Sequence, residues 1–310
     1  PIAQILLWIA TLLSNWIVLV SKSMSSLPVI TFSQIRFFLV VFTVIAVAAV
    51  FHMWRLIILI SSLLAFQLFY NTLTWPGSGW QVVNCDVGQG DAMVVNLGTS
   101  SAIVIDTGPD FRQQMLRENV QKVDAILFTH GHKDHTAGFD DIRGFNWKSK
   151  EAMDVYANED VEKVLKNDFH YAFAENKYPG VPNLNLHVIR NGTFKINDLD
   201  VMPIEVMHYK LPVFGYRIGD FSYITDANFI SDTEKEKLKG TRILVLNALR
   251  KTEHISHFSL DQAVALAQEI DAEETYLIHM SHQMGFHDEV QKELPAGIFL
   301  AYDELQVVVE

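Results

Sequence analysis

Three imidazoles and one carboxylate lie within six positions, in the segment 130–135 with the order His-Gly-His-Lys-Asp-His. The segment directly follows the apolar run 125–129, which is typical of a buried strand. A strand that ends in His-x-His-x-Asp-His can direct its ligands towards two neighbouring metal ions. Imidazole and carboxylate ligands suit Zn, Mn or Fe(II). The alternative, a His-rich loop arising by chance, is disfavoured by the spacing and by the preceding strand.

Three later polar residues also follow predicted strands. His208 follows the strand 201–206, Asp226 follows 221–225, and His279 follows 275–278. Each alone would be an ordinary loop residue. Together, they are placed where strands meet loops, on what would be one edge of a sandwich, and they complete a ligand set for two ions.

The elements that must position these residues form runs of strands that later alternate with helices, which is typical of two sheets packed face to face with helices outside. We therefore predict an α/β four-layer αββα sandwich. Ser259, with Gln262 three residues later, predicts a capped helix over 259–270. The other predicted helices are 111–119, 159–167 and 231–237, and the predicted strands are 80–87, 92–97, 102–105, 124–129, 152–157, 186–190, 199–206, 214–218, 221–225, 242–247, 275–279 and 305–309.

Composition divides the chain of 310 residues unevenly. Residues 1–75 hold three basic residues and no Asp or Glu, and their apolar stretches 5–20, 37–51 and 56–70 predict about three transmembrane helices. Buried helices of a globular protein are the alternative. We thus predict a transmembrane segment over 1–75, a linker over 76–79 and a separate folded domain over 80–310, in a multi-pass membrane protein that contacts lipid through its first 75 residues. The side on which the domain lies is left open.

The remainder of the chain is acidic, since all 36 acidic residues but only 21 of the 24 basic ones lie beyond residue 75. The resulting formal charge of −15 disfavours DNA as a partner, because phosphate contacts need clustered Lys and Arg. The single cysteine, Cys85, excludes an intrachain disulfide and a cysteine-rich zinc site.

The ligand pattern resembles the metallo-β-lactamase superfamily over about residues 80–310, which implies a hydrolase domain with that fold over residues 80–310. Residues 106–310 resemble the PhnP-like phosphodiesterases in the segments 106–112, 129–135, 138–143, 214–217 and 279–283. The resemblance implies two divalent metal ions, Zn or Mn, with Asp226 bridging them. By that resemblance one ion is held by His130, His132, His208 and Asp226, and the other by Asp134, His135, Asp226 and His279.

Other residues receive roles in catalysis. Asp134 and His257 are the candidate catalytic residues, and His257 matches the proton-donating His of this subfamily and suits general-acid catalysis. His254 is the alternative donor or a partner that orients His257. Asp106 is expected to fix a ligand His by a hydrogen bond. Arg143 is a candidate phosphate ligand, with a salt bridge to Asp140 or Asp141 as the alternative, and His282 corresponds to a structural-zinc ligand whose cysteine partners are absent here.

The apolar leader and the segment 86–92 resemble ComEC competence proteins over about residues 1–110. The leading hypothesis is a membrane-tethered, two-metal hydrolase in which a metal-bridged hydroxide attacks a small cyclic phosphate ester. One alternative is a ComEC-type nuclease domain beside a DNA-uptake channel. The other is a non-catalytic membrane module with a vestigial site.

Overall fold

The computed structural model describes residues 38–46, 58–66, 82–84, 93–96, 102–303 and 305–308. The chain divides into two compact units, residues 1–69 and 70–310. The predicted linker 76–79 and the segment 86–92 lie outside the described residues. Secondary-structure elements are numbered here within the second unit.

The prediction of transmembrane helices is wrong for the described part of the first unit. Residues 38–46 and 58–66 are helical. Among the described residues there is no helix of sufficient length and apolarity to cross a membrane, and the multi-pass membrane localisation is wrong with it. The stretch 5–20 lies outside the described residues.

The second unit is built on two sheets. The first sheet has the strand order β15-β1-β2-β3-β4-β5-β6, and the second has the order β11-β8-β9-β10-β12-β13-β14, with β7 paired to β8. The strands are β1 Val82–Asn84, β2 Met93–Asn96, β3 Ala102–Ile105, β4 Ala125–Leu127, β5 Met153–Ala157, β6 Leu184–Val188, β7 Phe194–Ile196, β8 Leu199–His208, β9 Leu211–Ile218, β10 Phe221–Ile224, β11 Phe229–Ile230, β12 Ile243–Asn247, β13 Glu274–Ile278, β14 Ile298–Leu300 and β15 Leu305–Val307.

Helices connect many of these strands. The α-helices are α1 Phe111–Arg117, α2 Lys133–Thr136, α3 Arg143–Ser149, α4 Glu159–Asp168, α5 His170–Phe173, α6 Asp232–Glu236, α7 Leu260–Ile270 and α8 His287–Val290, with 3-10 turns at Phe139–Ile142 and Gln291–Glu293. The predicted cap of α7 is confirmed: the Ser259 side chain accepts from the Gln262 N–H, and the Gln262 side chain accepts from the Ser259 N–H. The short helices α2, α5 and α8 were not predicted, because four residues carry too little periodicity to detect.

Three buried apolar clusters separate four layers, which confirms the αββα sandwich. Along β3, Ile103 and Ile105 face the second sheet and pack in one cluster with Tyr216 and Tyr223. The alternate residue Val104 packs instead in a cluster with Phe111 of α1, as successive strand residues must face opposite sides. A third cluster joins the outer face of the second sheet to α7. The sheets are therefore the inner layers and the helices the outer ones.

Parallel pairing brings the candidate ligands to one edge of the sandwich. In the first sheet β3, β4 and β5 are parallel, so the loops after β3 and β4 leave at the same edge. In the second sheet β10, β12 and β13 are parallel, and β8 runs in the same direction because it is antiparallel to β9, which is antiparallel to β10. The loops after β8, β10 and β13 therefore also meet at one edge.

Gly138 packs closely on the backbone of residues 107–108, in the loop after β3 at this edge. The Gly138 N–H donates to Thr107 O at 2.9 Å, and a Cβ at Gly138 would lie 2.2 Å from Gly108 O and 2.6 Å from Phe111 Cβ. We expect Gly138→Ala to lower the free energy of unfolding by about 1–3 kcal/mol, because the backbone of residues 107–108 must shift. Urea unfolding measures this change.

Gly144→Ala is the matched control. A Cβ at Gly144 meets no atom within 4 Å, and the residue lies in α3. Alanine there should leave stability unchanged or raise it by up to about 1 kcal/mol through its helix propensity. Equal stability of the two variants would contradict the packing argument.

Candidate metal centre

Six of the seven predicted ligands lie together in the structure. Each offers an atom within 4.8 Å of the others in its group. The first group is His130, His132, His208 and Asp226, and the second group is His135, Asp226 and His279. The members of these groups come from the segments after β4, β10 and β13 and from the last residue of β8, so each group has residues from both sheets. Their assignment to metal ions remains a prediction.

Asp226 belongs to both groups and divides its two oxygens between them. Its Oδ2 lies 3.5 Å from His130 Nε2 and 3.9 Å from His208 Nε2. Its Oδ1 lies 3.4 Å from His135 Nε2 and 3.3 Å from His279 Nδ1. This carboxylate is buried, and it is placed as a bridging ligand would be.

Asp106 holds His135 from the side opposite Asp226. His135 Nδ1 lies 2.8 Å from Asp106 Oδ2, which also accepts from the Thr129 hydroxyl, while Asp106 Oδ1 accepts from the Thr129 N–H. This arrangement is the one predicted for Asp106. It orients the imidazole with Nε2 towards Asp134 and Asp226.

The backbone fixes a second ligand in the same manner. His208 Nδ1 lies 3.0 Å from Ser256 O, a carbonyl that can only accept, so this ring nitrogen carries the proton. Nε2 is then the atom that presents a lone pair towards Asp226. The segment around Ser256 thus sets the tautomer of His208.

Burial and neighbouring charges shift the pKa values at this centre. Burial, followed by the nearby His135, holds the pKa of His130 well below its usual range, so His130 is neutral at pH 7. Burial also lowers the pKa of His208. Burial alone would raise the pKa of Asp226, but His279 and His135 outweigh it and hold that pKa well below the usual range. Neutral His130 and His208 beside an ionised Asp226 are the protonation states in which these three residues bind metal.

His135 titrates differently. Burial alone would lower its pKa, but Asp106 and Asp226 outweigh burial and raise the pKa of His135 well above its usual range. For Asp106 burial is the largest cause and raises the pKa, against the opposing effect of His135. A divalent cation beside Nε2 would displace the proton from His135.

Three residues of the centre adopt left-handed backbone conformations that non-glycine residues rarely adopt. The φ angles are 62° at Asp106, 55° at Asp226 and 57° at His279. Each follows the end of a strand at the edge where the two sheets meet. Such strained residues cluster at functional sites, where the surrounding structure enforces them.

His257 borders the metal centre. Its Nε2 lies 3.2 Å from Asp226 Oδ2, and its ring stacks on that of His279 with centroids 5.0 Å apart. His257 Nδ1 lies 2.9 Å from the Ser256 hydroxyl and 3.2 Å from His254 Nδ1. His254 therefore contacts the far side of His257, the position of an orienting partner.

The remaining candidates, Asp134, Arg143 and His282, belong to neither group. Asp134 Oδ2 is 3.6 Å from His135 Nε2 at the rim of the second group. Arg143 forms a salt bridge with Asp140 at 3.1 Å, the alternative given for it, and its role at a substrate phosphate remains a prediction. His282 is exposed and belongs to neither group, and its role is likewise untested.

Asn247 supports the centre and was not among the predicted site residues. It ends β12 and is buried, with its side-chain amide accepting from Ala227 N–H at 2.9 Å and donating to Ala227 O at 3.0 Å. These bonds fix the backbone next to Asp226. A polar residue ending an apolar strand is the same signal that identified His208 and Asp226, and it would have identified Asn247.

The donor set fits divalent metal ions. His135 Nε2 is fully buried, has no hydrogen-bond partner and faces two carboxylates. Several imidazoles converge on one ionised carboxylate, which is a combination typical of Zn and Mn sites.

Known proteins share this fold. A solved structure described as a new diphosphatase from the PhnP family has a TM-score of 0.67 and 33% sequence identity, and it covers 74% of this chain and 96% of its own. An octanoyltransferase of Porphyromonas gingivalis is 38% identical over 221 residues, which are 71% of this chain and 44% of that protein. The exodeoxyribonuclease WalJ of Streptococcus pneumoniae is 30% identical over 118 residues, which are 36% of this chain and 39% of that protein.

The chain spans less than half the length of these two curated relatives. The family model for the beta-lactamase superfamily domain matches residues 101–280, more than half of the chain. That range contains all the residues that line the candidate metal centre. The chain therefore belongs to the beta-lactamase superfamily, and it is a hydrolase with the metallo-β-lactamase fold.

Proposed function

We propose that this chain uses two divalent metal ions, Zn or Mn, to hydrolyse a phosphodiester bond in a small cyclic phosphate ester. The observation that carries the proposal is the division of the Asp226 oxygens between two histidine groups. The likeness to a PhnP-family protein supports the substrate class. The reaction needs both groups, because the two ions that they hold would together activate the attacking water and face the phosphoryl group.

When bound, two such ions would acidify a water molecule near neutral pH and neutralise charge that develops on the phosphoryl oxygens. The first group would hold one ion through His130, His132, His208 and Asp226. The second would hold the other through His135, Asp226 and His279, with Asp134 at its rim. His257 would donate a proton to the departing alkoxide oxygen, and His254 would orient it.

Three of the similar proteins carry other activities in their names. The diphosphatase suggests cleavage of a phosphoanhydride at the same site, which is chemically close because the attack is again on phosphorus. The exodeoxyribonuclease suggests DNA, but the formal charge of −15 beyond residue 75 opposes DNA binding. We do not propose octanoyl transfer, since the chain spans only 44% of the relative with that name.

A turnover assay of the full chain with Zn or Mn tests the proposal. The substrates are a cyclic phosphodiester, bis-p-nitrophenyl phosphate, a nucleoside diphosphate and single-stranded DNA. We expect hydrolysis of the first two and its loss after metal is removed with a chelator. Turnover of DNA alone, or activity that survives complete metal removal, would overturn the proposal.

A further inference from the structure

The Asn228 side chain forms hydrogen bonds with two loops beside the first metal group. Its side-chain oxygen accepts from the Tyr209 N–H at 2.8 Å, and its side-chain amide donates to Ile255 O at 3.1 Å. Its own N–H donates to Met207 O at 2.9 Å. One side chain therefore holds the loop after His208 next to the loop that carries His257.

This bridge places two large apolar side chains in solvent beside the centre. Tyr209 is 49% exposed and Ile255 is 64% exposed. Tyr209 directly follows the candidate ligand His208, and Ile255 lies between His254 and His257. Single exposed apolar residues are common, but these two are held next to each other by one Asn228 side chain and form a joint apolar surface at the centre, which a ligand in the site is positioned to cover.

The backbone of Tyr209 strengthens this argument. Its φ is 57°, a left-handed conformation that costs free energy for any residue with a Cβ and least for glycine. An exposed turn could hold glycine or asparagine there without losing any packing. A tyrosine in a strained and exposed position is explained if its ring contacts a ligand.

The location of the pair defines which part of a ligand it would contact. His257 lies on the same loop as Ile255 and is the candidate proton donor for the leaving group, so the pair flanks the leaving-group side. The Lys210 ammonium lies 5.2 Å from the centroid of the Tyr209 ring. It supplies local positive charge for a phosphorylated ligand in a chain with a formal charge of −12.

We propose that Tyr209 and Ile255 form a subsite for the nucleobase of a nucleoside ligand, on the leaving-group side of the metal centre. Every nucleobase offers a planar face that can stack on an aromatic ring, whichever base it is. Asn228 acts as a positioning residue that sets the two walls. The inference rests on the proposed function, because that function defines the leaving-group side.

Calorimetric titration of the zinc-loaded full chain tests the subsite with two ligands that differ in the base. Adenosine 5′-monophosphate has the ring, and ribose 5-phosphate lacks it. We expect the nucleotide to bind about tenfold more tightly or better, since stacking of one base contributes roughly a five- to hundredfold difference. Tyr209→Ala should remove this preference, and Tyr209→Phe should retain it.

Tyr209→Gly separates a ligand-binding role from a structural one. Glycine relieves the left-handed strain, so this variant should melt at or above the wild-type temperature while it loses the preference for the nucleotide. Trp147→Ala is the matched control, because Trp147 is also exposed (77%) beside a lysine ammonium, Lys150, and lies on α3, which carries no member of either metal group. It should keep the preference.

Equal binding of the two ligands by the wild type, binding of neither, or a preference that survives Tyr209→Ala would overturn the subsite. Hydrolysis of a ring-free cyclic phosphodiester, measured in parallel, reports on the proposed function alone. A chain that cleaves that substrate but ignores the base would keep the function and lose the subsite. A chain that binds the nucleotide more tightly but cleaves no phosphate ester would support base binding at Tyr209 and contradict the proposed function.

Discussion

Asp226→Asn should abolish the binuclear centre and reduce turnover of the best phosphodiester substrate by at least about a thousandfold. The reason is that both oxygens of this buried carboxylate face candidate ligands, three imidazoles at 3.3 to 3.5 Å among them. An amide offers one oxygen and no charge, so the two ions would lose the anion that holds them together. Without both ions neither the acidified water nor the charge neutralisation is available.

Metal content by elemental analysis and steady-state kinetics measure this loss. A second readout is thermal stability, because metal that binds only the folded state raises stability by roughly 2.7 kcal/mol at a hundred times its Kd. The wild type should show this rise, and Asp226→Asn should show little of it. Asp232→Asn, at a fully exposed carboxylate, is the control. Wild-type metal content and activity in Asp226→Asn would exclude a bridging role.

His257→Ala should slow hydrolysis by about a hundred- to ten-thousandfold for substrates with an alkoxide leaving group. The effect should be much smaller with bis-p-nitrophenyl phosphate, since p-nitrophenolate leaves without a proton. This difference identifies a general acid and separates it from a metal ligand, whose loss would slow both substrates equally. The placement of His257 Nε2 at 3.2 Å from Asp226 Oδ2 puts the imidazole within reach of the reacting group.

His254→Ala distinguishes the two candidate donors. If His254 only orients His257, its removal should cost less than removal of His257 while showing the same dependence on the leaving group. His187→Ala, at an exposed histidine on β6, is the control. An equal loss on both substrates in His257→Ala would show that His257 binds metal or supports the fold instead.

Local sequence signals were sufficient to predict the αββα sandwich and the capped helix, and they identified six candidate ligands that the structure places together. Each ligand follows an apolar strand, and that pattern is visible in a window of about ten residues because hydrophobic periodicity and a polar strand end are local properties. The apolar leader shows where such signals fail. Its stretches resemble membrane spans in composition, yet no helix among the described residues has the length and apolarity to cross a membrane, since composition alone does not set the length of a helix.

The sequence alone determined which residues have the chemistry to bind metal: the segment 130–135 and the later His208, Asp226 and His279. Only the tertiary structure decided which imidazoles face each oxygen of Asp226, that the histidine held by Asp106 is His135, that Asn247 braces the backbone beside Asp226, and that Asn228 joins the backbones of Tyr209 and Ile255. The physical reason is that these contacts join residues distant in the chain, through strand order and parallel pairing that no local pattern encodes. The residues of the candidate metal centre are therefore predictable from the sequence. Their geometry depends on how the two sheets pack and on which strand ends come together.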